Sequence, residues 1–413
     1  LKPRSLTSPA NVVLFLTWLF FGMYYATRFN YSPMIPLIRA ELGISNAQAG
    51  WLMAFFFVTY TIFQLPAGFL ADLYGPRRVI VSGALISIAG NLIFSQGHSF
   101  VMLACGQLIN GIGQAMGWNS ALKLIVSWFS RARRATAIGL FATCVTVGSS
   151  AGIRLAGFLG DHLSWRSAFI IPPVMMAAVG VVFWLVVRDS PGARGLPEFD
   201  DEVDLENMIA SDPRSRLAKV LGHPTMWVVG LVYFCFVYVQ FGCLVWIPPI
   251  LKEAYSLSVD RASTISSLVL LPGVLAAPLG GYMSDHYFKG RRKPLLLGGL
   301  VVLSAACFLL ATGVGLAAAT AVLSVVGLMI IMPDILLAAY PSDLLSRKLA
   351  ATGMGFLTTF TSTAGIVTTP AAGAIVDYFH SYQAPFFSFG IAALLATLLT
   401  LLIREGRPTA RGK

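Results

Sequence analysis

Four charged residues stand where charge is costly. Arg28 lies inside the apolar run FGMYYATRFNYSPMIPLI, Lys123 inside GWNSALKLIVSWF, Arg154 inside GSSAGIRLAGFLGD and Asp334 inside LMIIMPDILLAAY. A charge near the middle of a bilayer costs roughly 3 kcal/mol even on lenient scales, so each one asks for a use. Arg28 is more than ten residues from either end of its run, too far to reach headgroups, and has Tyr24, Tyr25 and Asn30 beside it. A guanidinium offers a fixed fork of donors that suits a carboxylate or phosphate, so Arg28 is the expected substrate ligand. Lys123 is about 12 Å of helical rise from Arg131, deep enough to face a cavity and shallow enough to reach headgroups. Asn119 precedes it on the same face, and Gln107, Asn110 and Gln114 keep helical spacing earlier in that run; some of these bond other helices. Arg154 is two turns from Asp161, where snorkelling or pairing is expected. Asp334 follows Pro333, which loosens a helix and frees a carbonyl; the acid either takes a proton or pairs with a basic residue.

The sign of these charges matters. The first half carries three deep cations and no deep carboxylate, so its inner face is expected to attract an anion. Among the histidines, His98, His162, His223, His286 and His380 fall at the ends of apolar runs or between them, and no metal or nucleophile constellation forms. The residues therefore call for no enzyme, no cofactor and no metal. The five cysteines, Cys105, Cys144, Cys235, Cys243 and Cys307, lie inside apolar runs with no CxxC spacing.

A second kind of signal is the segment GFLADLYGPRR, with Gly68, Asp72, Gly75, Arg77 and Arg78, echoed by GGYMSDHYFKGRR, with Asp285 and Arg291. Glycines permit a turn and tight helix contact, while the aspartate can meet a helix N-terminus or the neighbouring arginines. The expectation is a gating latch; the plainer alternative is loop charge that only sets topology.

The elements that must position these residues are membrane helices. The chain of 413 residues is 56% hydrophobic and only 11% charged, where a soluble domain is about a quarter charged. Apolar runs of some 20 residues, each enough to cross about 30 Å of hydrocarbon as a helix, recur along nearly the whole chain. They lack the alternation of a β-barrel strand. Twelve spans are expected, the first beginning near Asn11 and read as helix 1 rather than as a removable signal peptide.

With both termini cytoplasmic, the inner loops and tails hold 22 of the 29 basic residues and the outer loops only Arg39, Arg166, Lys252 and Arg261. That asymmetry follows the positive-inside rule, and basic residues spread this way indicate orientation rather than nucleic acid. Residues 189–224 interrupt the rhythm with Pro191, Pro197, Pro213 and an acidic stretch from Glu198 to Glu206, the mark of a solvated connector. The flanking halves repeat. Asp72 and Asp285 are 213 positions apart, as are Ala151-Gly152 and Ala364-Gly365, while Gly139 and Gly353 are 214 apart. Matching loops fall on one side, so these are parallel repeats with a substrate site expected between them near mid-depth.

The order of motifs resembles the major facilitator superfamily, and within it the organophosphate:phosphate antiporters, with a more distant similarity to the anion:cation symporters. The segments that carry the resemblance are YYATRFN (24–30), GQAMGWNSALKLIVSWFS (113–130), RDSPGARGLP (188–197), VWIPPILKEAYSLSVD (245–260) and GGYMSDHYFKGRR (280–292). The resemblance implies that Arg28 stands where that family binds the substrate's phosphate, with Tyr25 beside it and Lys123 at its span 4 basic position. It also shows departures. Gln240 stands at or one residue from the family's second arginine, Gln64 replaces a lysine, Val145 replaces a histidine, and Thr27 replaces the aspartate of the sugar-acid carriers. One arginine facing a monoanion then fits better than a phosphate dianion held by two.

The expected architecture is an all-α membrane protein of twelve transmembrane helices in two pseudo-symmetric six-helix bundles, residues 1–188 and 225–413, joined by the linker 189–224. The expected function is secondary active transport of a small organic anion by alternating access, monocarboxylate-like rather than a phosphate ester. Arg28, Tyr25, Tyr60, Lys123, Gln240 and Trp246 would line the site, and Asp334 and Arg154 would serve coupling or ion pairing. Two alternatives stand beside it: a proton-coupled symporter of a sugar acid using Asp334, and a transporter-like membrane sensor without flux. The partners expected are the substrate anion, the inner-membrane bilayer and a proton or counter-anion; nothing demands more than a monomer.

Overall fold

The computed structural model describes residues 8–197, 213–276 and 291–403, with Met283 and residues 287–288 between them. The apolar runs form helices whose ends are set by local chemistry. In the first part these are α1 (Pro9–Phe29), α2 (Tyr31–Leu42), α3 (Asn46–Tyr74), α4 (Pro76–Ser95), α5 (Phe100–Ala115), α6 (Trp118–Trp128), α7 (Arg131–His162) and α8 (Ile171–Val186). There follow α9 (Pro213–Leu221), α10 (Pro224–Ala254), α11 (Val259–Leu270), α12 (Lys293–Ala311), α13 (Leu316–Met329), α14 (Met332–Leu344), α15 (Arg347–Phe379) and α16 (Ala384–Leu401). A capping box starts α3: the Gln48 amide N–H donates to Ser45 Oγ at 3.1 Å and the Ser45 N–H to Gln48 Oε1 at 2.9 Å. Pro76 opens α4, where a missing N–H costs nothing.

Among the described residues, nine helical stretches are long and apolar enough to cross a membrane. Of the expected spans not in that number, the one at 100–128 is broken near Met116 and Gly117 into α5 and α6. The one at 350–376 lies in α15, and the one at 263–285 leaves the described residues after Ala276.

The chain separates into two compact units. One gathers everything up to Asp201 together with Pro248–Ser267; the other holds Glu202–Ile247 and Leu268 onward. The stretch Pro248–Ser267 belongs to the second half in sequence, and it begins at the paired prolines Pro248 and Pro249 inside α10.

Lipid tails are as apolar as leucine, so membrane helices gain from close backbone approach and polar contacts rather than from hydrophobic burial. The first unit is built that way. A Cβ placed on Gly152 would stand 2.5 Å from Ala26 Cα, so α7 presses directly on α1. A Cβ on Gly113 would stand 2.4 Å from the Gly83 carbonyl, which sets α5 equally close to α4. Phe20, Phe21, Tyr24, Trp128, Phe141 and Phe183 fill the interior around these contacts. Ile62, Leu65, Phe69 and Leu73 remain exposed along one stripe of α3, a surface suited to hydrocarbon and not to water. In the second unit Ser304 Oγ donates to the Gly390 carbonyl at 3.0 Å, tying α12 to α16.

Candidate substrate site

Arg28 is in the last turn of α1, directly before the break at Asn30 that separates α1 from α2. That break is pinned: the Asn30 amide donates to Asn91 Oδ1 at 3.0 Å and to the Ala168 carbonyl at 2.9 Å. The residue is only 4% exposed. Its carbon stands 4.6 Å from the ring centroids of Tyr25 and Tyr60 and 5.2 Å from that of Phe56. Nε and Nη2 both donate to Gln114 Oε1, at 3.3 and 3.1 Å. Among the described residues no carboxylate pairs with it. Ring contacts of this kind offset about 1–2 kcal/mol when desolvated, and a neutral amide adds about 1. Neither neutralises the charge. A cation so held favours an anion against the edge it leaves open.

The other deep cations are differently placed. Lys123 Nζ donates to Asp72 Oδ1 at 2.6 Å and to the Ala71 carbonyl at 2.9 Å, so its ammonium is committed to the turn after α3 and not to the Arg28 pocket. With the two side chains 43% and 69% exposed, that pair contributes no more than about 1 kcal/mol. Arg154 Nη1 donates to Asp260 of α11 within the same compact unit.

The turn after α3 is organised from a place that sequence reasoning left among linker residues. Gly75 has φ +84°, which excludes most side chains, and a Cβ there would also stand 3.1 Å from the Asp189 carboxyl. Asp189 Oδ1 accepts from the Arg77 backbone N–H at 2.8 Å, placing negative charge at the N-terminus of α4. The Arg77 guanidinium lies 3.9 Å from the Trp184 ring centroid, and Ser127 Oγ and Trp128 Nε1 donate to the Asp189 and Arg188 carbonyls. Arg78 is exposed. Among the described residues, no heavy atom falls within 4 Å of a Cβ built on Gly68. Asp285 lies outside the described residues, and Arg291 is exposed with its N–H on the Phe288 carbonyl at 2.9 Å.

In the second unit, Tyr233 donates to Asp334 Oδ1 at 2.6 Å. Gln240 Nε2 donates to the Ile330 carbonyl at 2.6 Å. That carbonyl lies where the helix breaks between Met329 and Met332, so the Gln240 amide satisfies a backbone group set free by the interruption. No cation pairs with Asp334 among the described residues. Trp246 is fully buried, its Nε1 on the Thr369 carbonyl at 3.1 Å. This bond ties α10 to α15.

The family model of the Major Facilitator Superfamily matches residues 17–369 and 229–413. The chain belongs to that superfamily. As a superfamily transporter it is a multi-pass membrane protein and not an enzyme. It is 25% identical to the probable sulfoacetate transporter of Cupriavidus necator, over 95% of this chain and 93% of that one. It is also 25% identical to the probable hexose phosphate transport protein of Chlamydia pneumoniae, over 83% of this chain and 79% of that one. A solved bacterial homologue of the human lysosomal transporter Spinster, inward-facing and unoccupied, shares its fold with a TM-score of 0.80 at 17% identity, over 96% of each chain.

Proposed function

We propose that this superfamily member is a secondary active carrier of a small organic monoanion, with Arg28 as the clamp on the anionic group. The observation that carries the reading is the contrast among the three deep cations of the first half. Lys123 and Arg154 have carboxylate partners, whereas Arg28 is buried among three aromatic rings with none among the described residues. One cation balances one negative charge. That favours a single carboxylate over the phosphate-ester dianion named for the Chlamydia pneumoniae relative, and over the sulfoacetate named for the Cupriavidus necator one, which carries two acid groups. The glutamine at position 240, whose amide is held by the Ile330 carbonyl, supports the same choice.

Transport proceeds by alternating access of the two sequence repeats, in a cytoplasmic membrane with both termini inside, and the Arg154–Asp260 contact must open as residues 1–188 move against Pro248–Ser267. Asp334 is the coupling residue. Its carboxyl accepts from Tyr233 and meets no cation among the described residues, an arrangement suited to gaining and losing a proton rather than to a fixed ion pair. Proton-coupled symport is therefore the second reading of the same carrier.

The test is binding and flux on the purified full chain. A thermal-shift panel of acetate, glucuronate, sulfoacetate, glycerol 3-phosphate and inorganic phosphate should show stabilisation by a monoanion, about 2.7 kcal/mol at a hundredfold its dissociation constant. Arg28→Ala should remove it. The protecting compound should then be taken up by proteoliposomes. Protection that survives in Arg28→Ala, or protection by organic cations alone, refutes the anion reading; binding with no flux assigns the chain to a sensor.

A further inference from the structure

The hydrogen bonds around Gln114 define how Arg28 can be used. Gln114 is fully buried on α5, and its side-chain nitrogen donates to the Tyr24 carbonyl at 2.9 Å, to Thr27 Oγ1 at 3.1 Å and to Ser87 Oγ at 3.2 Å. A carbonyl cannot donate, so the contact with Tyr24 fixes which end of the amide is nitrogen. The oxygen must then face Arg28, and a guanidinium cannot accept, so the two assignments agree. The surroundings are themselves held: Ser87 Oγ donates to Asn110 Oδ1 at 2.6 Å, and Asn110 Nδ2 donates to the Thr27 carbonyl at 3.4 Å. Three helices, α1, α4 and α5, converge on one amide.

A guanidinium has two edges that can grip an anion in a fork: the side edge, formed by Nε and Nη2, and the end edge, formed by Nη1 and Nη2. Gln114 Oε1 takes both donors of the side edge. Tyr25, Tyr60 and Phe56 surround the guanidinium at ring-contact distance. Nη1 donates to no protein atom among the described residues.

We infer that Gln114 is a positioning and specificity-determining residue, whose amide oxygen occupies the side edge of Arg28 and leaves the end edge for one flat, two-oxygen anionic group. The inference rests on the proposed anion-carrier reading and deepens it. A carboxylate is flat and meets the end edge with both of its oxygens. A ligand that needs both edges of the arginine at once is refused, because the amide is already there and cannot leave without stranding its own buried hydrogen bonds.

Glutamate and methionine at this position separate a positioning role from a merely structural one. Glutamate keeps the shape and brings a carboxylate onto the guanidinium, an internal competitor for the substrate. Methionine keeps roughly the volume, removes every polar contact and leaves Arg28 free to turn. Equilibrium binding of glucuronate, sulfoacetate and glycerol 3-phosphate is measured on the purified full chain as wild type, Arg28→Ala, Gln114→Glu and Gln114→Met, with the melting temperature of each recorded. The expected order of affinity is wild type, then Gln114→Met at about tenfold weaker, then Gln114→Glu at about a hundredfold weaker or more. Both variants lose the donation to the Tyr24 carbonyl and should melt below wild type. A structural amide predicts the opposite for binding, methionine being the worse of the two, and that result overturns the proposal. Wild-type affinity in both Gln114 variants, with binding lost in Arg28→Ala, overturns the positioning role and leaves the anion carrier standing. No binding of any probe by wild type, or binding retained in Arg28→Ala, overturns both. If Gln114→Glu does not fold, Gln114→Met decides alone: tenfold weaker binding supports the proposal and unchanged binding overturns it.

Discussion

Replacing Arg28 by lysine keeps the charge and discards the fork, which makes it the sharpest test of what the arginine contributes. The Arg28 guanidinium spends Nε and Nη2 on Gln114 at 3.3 and 3.1 Å and has two tyrosine rings at 4.6 Å. A lysine ammonium has three donors on one atom, so it cannot hold Gln114 Oε1 from a planar edge while presenting a second edge to a ligand. The ring contacts weaken without vanishing, since an ammonium is also attracted to an aromatic face. The loss is then one charge-assisted hydrogen bond to the substrate, about 1.5–3 kcal/mol, or roughly 10- to 150-fold in affinity. Arg28→Lys should therefore bind the best monoanion of the panel roughly 10- to 150-fold more weakly by calorimetry, while Arg28→Ala shows none. Its melting temperature without ligand should stay near that of wild type. Undiminished binding by the lysine variant would mean that charge alone matters and that the edge geometry is irrelevant. Loss as complete as in alanine would mean that the aromatic surroundings accept only a planar cation.

Other outcomes follow from the same structure. A double-mutant cycle with Asp72→Asn and Lys123→Gln should give a coupling energy of no more than about 1 kcal/mol in apparent stability, because both side chains are substantially exposed. Gly152→Val should lower the melting temperature by an amount equivalent to about 1–3 kcal/mol, since its Cβ would meet Ala26 backbone at 2.5 Å; Gly68→Ala, with open space around it, should not. Asp189→Ala should cost about 0.5–2 kcal/mol by uncapping α4, which chemical denaturation can read. Asp334→Asn should bind substrate yet lose any dependence of uptake on an imposed pH gradient, with Tyr233→Phe weakening that dependence in the same direction.

The deep charges were legible in the sequence because lipid makes them expensive wherever they occur, and so was the fold, because apolar length and basic loops depend on local composition. Their partners were not. Lys123 is a candidate for a cavity by depth along its helix, but Asp72 is 51 positions away in sequence, and only the packing of α3 against α6 brings the two together. Gln114 could be placed on a polar face without any sign that the group it holds is Arg28, 86 positions earlier. Asp189 looked like the first acid of a connector, and its role as the cap of α4 depends on a chain return from the end of α8.

The assignment of Pro248–Ser267 to the first compact unit bears on how this chain can be divided. A gene cut anywhere in the connector separates the two sequence repeats cleanly on paper. The upstream fragment, however, would be made without a segment that its own interior packs against, including the Asp260 that meets Arg154 and the Ser263 that a side chain on Gly157 would strike. Split expression should thus yield an upstream half that is degraded when made alone and is rescued when the downstream half is produced in the same cell. The unit of manufacture is the whole polypeptide, even though the unit of repetition is half of it.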